Sequence, residues 1–279
     1  MKVTERSTSA PDGGASRAAG LGAGRGAGQV AREQVAKEAA KFDALGSEWR
    51  AADGAFAPLH AMQKVRLDYV RAQALGALRL DPASAKPLSG LRLADLGAGG
   101  GLASEPMARL GAKVVGVDPS AEAVALCRER AEGFGLDIDY RRADAESFAE
   151  QATANGDAFD VVLALEVVEH APDLDAFAAA AATLLRPGGV AVFTTLNRTA
   201  ASYLGAIVAA ERLLGWLARG THDWANFPKP EELTAALSRA GLEPVDVMGF
   251  AYDPLSRRWR ADPARTEINY AVTAIKPAS

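Results

Sequence analysis

The stretch 91–101, LRLADLGAGGG, runs from a short apolar segment directly into four glycines, and an acid, Asp118, closes the next apolar run. Strand, glycine turn, helix, strand, acid is the unit of a parallel βαβ crossover that holds a ligand at its tip. Gly97, Gly99, Gly100 and Gly101 let the backbone turn tightly and approach that ligand more closely than a side chain would permit. Asp118 stands where a carboxylate can hold a ribose, so the unit points to a nucleotide-like cofactor. The dinucleotide fingerprint G-x-G-x-x-G is not met. From Gly97 it would need glycine at Leu102, and from Gly99 at Ser104.

The centre of the chain continues the alternation of strand and helix, which implies a parallel sheet. Strands are expected at 91–96, 113–117, 138–142, 159–165 and 190–196, with helices between them. Pro187, Gly188 and Gly189 mark a turn ending the helix before the fifth strand. A helix at 230–240 and strands at 243–250 and 268–275 complete the pattern as a hairpin-like pair. The expectation is a Rossmann-like α/β fold with a seven-stranded, mostly parallel sheet.

Residues 1–28 are rich in Gly, Ala, Ser and Arg and nearly free of large apolar side chains, so they are expected to form a disordered tail. Residues 29–279 are expected to form a single domain. Within it, 29–80 shows helical periodicity, with Val30, Phe42, Leu45, Trp49, Leu59, Met62, Val65, Tyr69 and Val70 on one side. The stretch 197–229 is a long insertion after the fifth strand. Its centre carries Tyr203, Leu204, Ile207, Val208, Leu213, Leu214, Trp216 and Leu217, flanked by Arg198, Arg212, Arg219 and Lys229. It is too short and interrupted to span a bilayer of about 20 helical residues. Two readings stand: an interfacial segment on anionic lipid, or a helical lid or dimer contact packed against the protein.

Composition narrows the partners. A formal net charge of −4 argues against a general nucleic-acid binder, and 49% apolar residues suffice for a core. The single cysteine, Cys127, excludes internal disulfides and cysteine-rich zinc sites and reads as a small helix residue near the core. Without a secretory apolar segment at the start, a reducing compartment is expected.

Leu163 to Pro172 (LALEVVEHAP) follows the fourth strand, at the carboxyl edge where such sheets hold ligands. Glu166, Glu169 and His170 crowd this edge. Two carboxylates and an imidazole can present hard donors to magnesium or manganese, which would stabilise a phenolate. Alternatively, His170 acts as a general base near neutrality, or these side chains shape a pocket without metal. Arg66 is either a solvated helix residue or a fork for a ligand carboxylate. Asp144 could accept from an adenine amine or be structural. His60 reads as packing or surface, and His222 sits where a lid would meet substrate.

The residual pattern Asp95-x-Gly97-x-Gly99 is that of methyltransferases using S-adenosylmethionine. With K-F-D at 41–43, F-A-P-L-H at 56–60, V-R-L-D-Y at 65–69, L-E-V-V-E-H at 165–170, T-L-N-R at 195–198 and G-T-H-D-W at 220–224, the chain resembles the ubiquinone-biosynthesis O-methyltransferases over roughly 41–276. Ala98 stands where that family often has cysteine. The resemblance implies a bifunctional enzyme methylating ring hydroxyls of a polyprenylated phenol or catechol and of a late quinol. It places S-adenosylmethionine at Arg66, Gly97, Gly99, Asp118 and Leu165, Mg2+ at Glu166, Glu169 and His170, and the acceptor chemistry at Glu166 and His170. It further implies a peripheral position on the inner membrane, cytoplasmic or on the matrix side in a eukaryote, in possible company with other enzymes of the pathway. The alternatives are a metal-independent methyltransferase of another small phenol and a non-catalytic cofactor-binding scaffold.

Overall fold

The structure, a computed structural model, describes residues 33, 35, 57–203, 224–253, 256 and 258–278. Helix α1 (Ala57–Ala77) precedes the crossovers β1 (Arg92–Leu96), α2 (Ser104–Arg109), β2 (Lys113–Asp118), α3 (Ala121–Gly133), β3 (Ile138–Arg142), α4 (Ala145–Asn155), β4 (Phe159–Leu165), α5 (Leu174–Leu184) and β5 (Leu185–Leu196). Helix α6 (Pro230–Arg239) leads into β6 (Glu243–Asp253), β7 (Arg258–Asp262) and β8 (Asn269–Ile275). The strands form one sheet in the order β3-β2-β1-β4-β5-β8-β6-β7. The first five pair in parallel, whereas β8 runs antiparallel to β5 and to β6, and β6 antiparallel to β7.

Each element follows from local chemistry. Ser120, Asp144 and Asp173 cap α3, α4 and α5 by accepting backbone N–H groups of their first turns, which satisfies donors that have no partner within a helix. The central strands are apolar on both faces because helices cover both. One face packs Leu93, Leu163 and Val192 against Met62, Tyr69 and Val70 of α1. The other packs Phe148, Phe159, Phe177, Phe193, Leu237 and Tyr270 beneath α4, α5 and α6.

Three expectations change. The sheet has eight strands, not seven, because Arg258–Asp262 adds an edge strand: its RWRAD sequence alternates over only five residues, with Trp259 and Ala261 between charged neighbours, and it is held by pairing with β6. The final strands are therefore no simple hairpin; β6 lies between β8 and β7. Pro187-Gly188-Gly189 does not precede the fifth strand but lies within it: β5 pairs with β4 at Leu185 and again from Val190, and the residues between bulge out of register.

The expected tail 1–28, most of the expected helices before α1 and the apolar centre of the insertion at 204–223, with His222, lie outside the described residues, although 33 and 35 are helical. Among the described residues no helix is long and apolar enough to cross a membrane.

Candidate active site

The strand order reverses between β1 and β4, and it is at the carboxyl ends of the strands flanking such a reversal that sheets of this kind hold their ligands. The glycine turn leaves β1 on one side of the reversal, and Glu166 leaves β4 on the other. Gly97 has φ +69°, and a Cβ on it would lie 2.5 Å from Val167 Cγ2, so only glycine lets the two turns touch. At Gly101, φ is +77° and a Cβ would meet the Tyr140 hydroxyl at 2.7 Å.

The glycine turn is held from below and from both sides. Asp118 Oδ2 accepts from Gly99 N at 2.8 Å, and Cys127 Sγ donates to Gly99 O at 3.0 Å. Asp118 therefore does join the turn, and Cys127 is the buried helix residue expected of it. Gln63 of α1 donates to Leu102 O at 3.0 Å, tying that helix to the same turn. Asp95, only 2% exposed, accepts from Ser104 Oγ at 2.5 Å. Burial pushes its carboxyl up to about 6, against the lowering effect of the Ser104 hydrogen bond.

Arg66 is no solvated helix residue. It is 2% exposed, and its Nη2 lies 3.0 Å from Glu166 Oε1, which also accepts from Thr194 Oγ1 at 2.9 Å. Glu166 adopts φ +57°, a left-handed conformation that costs a side-chain-bearing residue roughly 1–2 kcal/mol. The strain sits where the chain leaves β4, and its backbone N–H still pairs with Thr194 O at 2.8 Å. Leu165, beside it, packs with the core under α1.

Glu169 turns the other way. It is buried, accepts from Thr195 Oγ1 at 2.7 Å, and has no partner for Oε1 among the described residues. Burial first, and the Glu166 carboxylate second, push its carboxyl well above the usual carboxylate range. His170 ends the short 3-10 turn Val168–His170, half-buried.

This arrangement does not fit the expected magnesium triad. Glu166 is engaged by Arg66 and Thr194, and Glu169 turns away from it to accept from Thr195. Among the described residues no three His, Cys, Asp or Glu side chains are grouped to hold a metal ion. Asp144 is placed as the cap of α4, its Oδ1 accepting from Ser147 N at 2.7 Å. Of the insertion's flanking cations, Arg198 pairs with Glu232 and Lys229 lies 3.9 Å from Glu231.

Sequence reasoning missed the supports. Ser104, Thr194 and Asn269 carry no motif; each meets its partner only through the register of the sheet or a turn. Thr195 and Asn197 stood within the T-L-N-R stretch without an assigned role.

Comparison with known proteins addresses the family and the fold. Residues 68–247 match the family described as a methyltransferase domain. The chain is 46% identical over 240 residues to the ubiquinone biosynthesis O-methyltransferase of Ruegeria pomeroyi, covering 86% of this chain and 95% of that one. It is 47% identical over 241 residues to the protein of the same name from Dinoroseobacter shibae, with 86% and 96% covered. Its fold resembles that of the magnesium protoporphyrin IX methyltransferase of Synechocystis PCC 6803 with bound SAH, at a TM-score of 0.52 and 17% identity over 78% of this chain and 85% of that one. A Rossmann-like methyltransferase fold, a matching domain family and near-complete coverage at this identity lead to one conclusion: the chain belongs to the ubiquinone biosynthesis O-methyltransferase family.

Proposed function

We propose that the protein transfers a methyl group from S-adenosylmethionine to a ring hydroxyl of a polyprenylated catechol or quinol in ubiquinone biosynthesis. The observation that carries this reading is the meeting of adjacent strand ends at the reversal of the sheet order, where a glycine turn tied to Asp118 faces a strained, Arg66-paired Glu166. Gly97, Gly99 and Asp118 hold the nucleoside, while Arg66 and Leu165 border the methionine portion. As the acceptor oxygen attacks, the O–CH3 bond forms and the S–CH3 bond breaks. The sulfur keeps the electron pair as S-adenosylhomocysteine, and the hydroxyl proton passes to a base.

Glu166 is the better placed base. Arg66 and Thr194 both engage Oε1, which leaves the second oxygen for the acceptor. His170 is the other candidate for the proton. No step is assigned to magnesium, since Glu166 would first have to exchange Arg66 for the ion.

The test is methyl transfer from labelled S-adenosylmethionine to a short-prenyl catechol. Glu166→Gln is expected to lose at least 100-fold in kcat, of the size general-base removal produces, while S-adenosylhomocysteine still binds. Retained activity in the variant overturns the assignment of Glu166. No methylation of any ring by the wild type overturns the reading as a whole. Chelation followed by added magnesium decides the metal: activity unchanged by chelation is the expected result.

Residues 197–229 support a peripheral membrane position, because a prenylated acceptor dissolves in lipid and the insertion's sequence is apolar with cationic flanks. Co-sedimentation with anionic vesicles is expected, and equal recovery after deletion of 204–217 would count against it.

A further inference from the structure

Among the described residues, the buried polar atoms that lack hydrogen-bond partners are not scattered. Apart from Arg71 and Tyr140, they belong to Arg66, Glu169, Asn197 and Asn269, all at the carboxyl edge of β4 and β5 or on the α1 residues facing it. Burying a polar atom unpaired is costly, so their concentration at the ligand edge marks where a ligand supplies partners.

Asn269 has the clearest position. It opens β8, opposite Leu196 at the end of β5, so the antiparallel strand delivers it to the carboxyl edge of the parallel sheet. It is 3% exposed. Its Nδ2 donates to Met62 Sδ of α1 at 3.1 Å. A thioether accepts and cannot donate, which assigns the nitrogen to the Met62 side. Oδ1 is left as an acceptor without a partner among the described residues.

Its neighbours are the site already described. Met62 lies one helical turn before Arg66 on α1, and Arg66 reaches Glu166. Thr194, which holds Glu166, is two residues before Leu196 and so shares a face of β5 with it. In the sheet order, the glycine turn on β1 lies to one side of Glu166 on β4, and Asn269 on β8 lies to the other. An acceptor ring in front of Glu166 thus has the methyl donor on one flank and the Asn269 carbonyl on the opposite one.

We infer that Asn269 is a specificity-determining residue, its Oδ1 accepting a hydrogen bond from a second hydroxyl of the acceptor ring beside the one that is methylated. The inference rests on the functional reading above. It follows from the sign of the unpaired atom: a buried acceptor calls for an O–H donor, which a catechol or quinol offers and a simple phenol, once its hydroxyl faces Glu166, does not. An apolar wall would accept both rings alike, whereas an unpaired polar atom discriminates against the ring that lacks its partner.

Two acceptors test this: a short-prenyl catechol, and the same ring with the hydroxyl next to the methylated one replaced by hydrogen. The wild type is expected to favour the catechol in kcat/KM on the order of ten-fold. In Asn269→Leu and Asn269→Ala that preference should fall to about two-fold or less, with the dissociation constant of S-adenosylhomocysteine unchanged within the same factor. Equal use of both rings by the wild type overturns the inference without recourse to any variant. So does an undiminished preference in a folded variant, or a loss of S-adenosylhomocysteine affinity in step with activity, which would place Asn269 on the cofactor. A wild type that methylates neither ring is the distinct outcome that removes the functional reading, and this inference with it.

Discussion

Asp95 shows what a single site residue does to the stability of this chain. An ionised carboxylate at 2% exposure is disfavoured relative to water, and one hydrogen bond from Ser104 does not offset burial, so the folded state holds the proton up to about pH 6. The unfolded chain releases it near pH 3.8, the ordinary value for an aspartate. Because the folded state binds the proton more tightly, stability from this group is fully present below about pH 4 and is lost as pH rises toward 6. The loss amounts to about 3 kcal/mol at neutrality, at about 1.4 kcal/mol per pH unit. Asp95→Asn should therefore gain stability over the wild type between pH 4 and 7 in urea unfolding while weakening cofactor binding; a wild-type-to-variant difference that does not change with pH would refute the assignment. Retaining a costly carboxylate here is what a functional position does. Residues of this kind were legible in the sequence. Asp95, Gly97 and Gly99 are close together in a turn whose backbone admits little else. Asn269 was not legible: it meets Met62 across 207 residues of chain, and an asparagine opening a strand has no pattern of its own.

At the level of elements, the alternation of strand and helix located β1 to β4, α6, β6 and β8 to within a few residues, because most of the buried strands are apolar runs. The start of β5 and the whole of β7 failed for one reason. Both are held by hydrogen bonds to a neighbour, and a single sequence does not display its neighbour; the alternation of Trp259 and Ala261 in β7 is too short to mark a strand by itself. The bulge at Arg186–Gly189 matters to the site, since it sets where β5 resumes and thereby which of its residues, Thr194 and Thr195, arrive beside Glu166 and Glu169. The cap of α4 separates structure from binding in the same way. Asp144 uses Oδ1 for Ser147 N, and the adenine reading of the same residue requires its other oxygen. Asp144→Ala should lose about 1 kcal/mol of stability with the cap. Asp144→Ser restores the cap but not the carboxylate; full stability with weakened S-adenosylhomocysteine binding is the expected calorimetric result. Unchanged binding in Asp144→Ser would leave Asp144 as a cap alone.

The whole molecule divides at the sheet into a face that carries the site and a face that supports it. Helix α1 covers the first face and is joined to the site at successive turns: Gln63 to Leu102 and Arg66 to Glu166, with Met62 reaching Asn269. Helices α4, α5 and α6 cover the second with an apolar core that meets the site only along the strands and at Val167 and Val168. A ligand bound between the β1 and β4 turns therefore ties α1, 97–101 and 166–170 into one unit, and opening any one of them releases it. At a hundredfold excess over its dissociation constant such a ligand adds about 2.7 kcal/mol to every opening that breaks the site. Amide exchange with S-adenosylhomocysteine should then slow by up to about 100-fold in 62–70, 97–101 and 166–170 together. Local openings of α4 and α5, which leave the site intact, should keep their rates. Slowing confined to 97–101 would mean that α1 is only a cover, and Arg66 a structural partner of Glu166. Slowing spread evenly over both faces would mean that the molecule opens as a single unit, and that the division into a working and a supporting face has no energetic content.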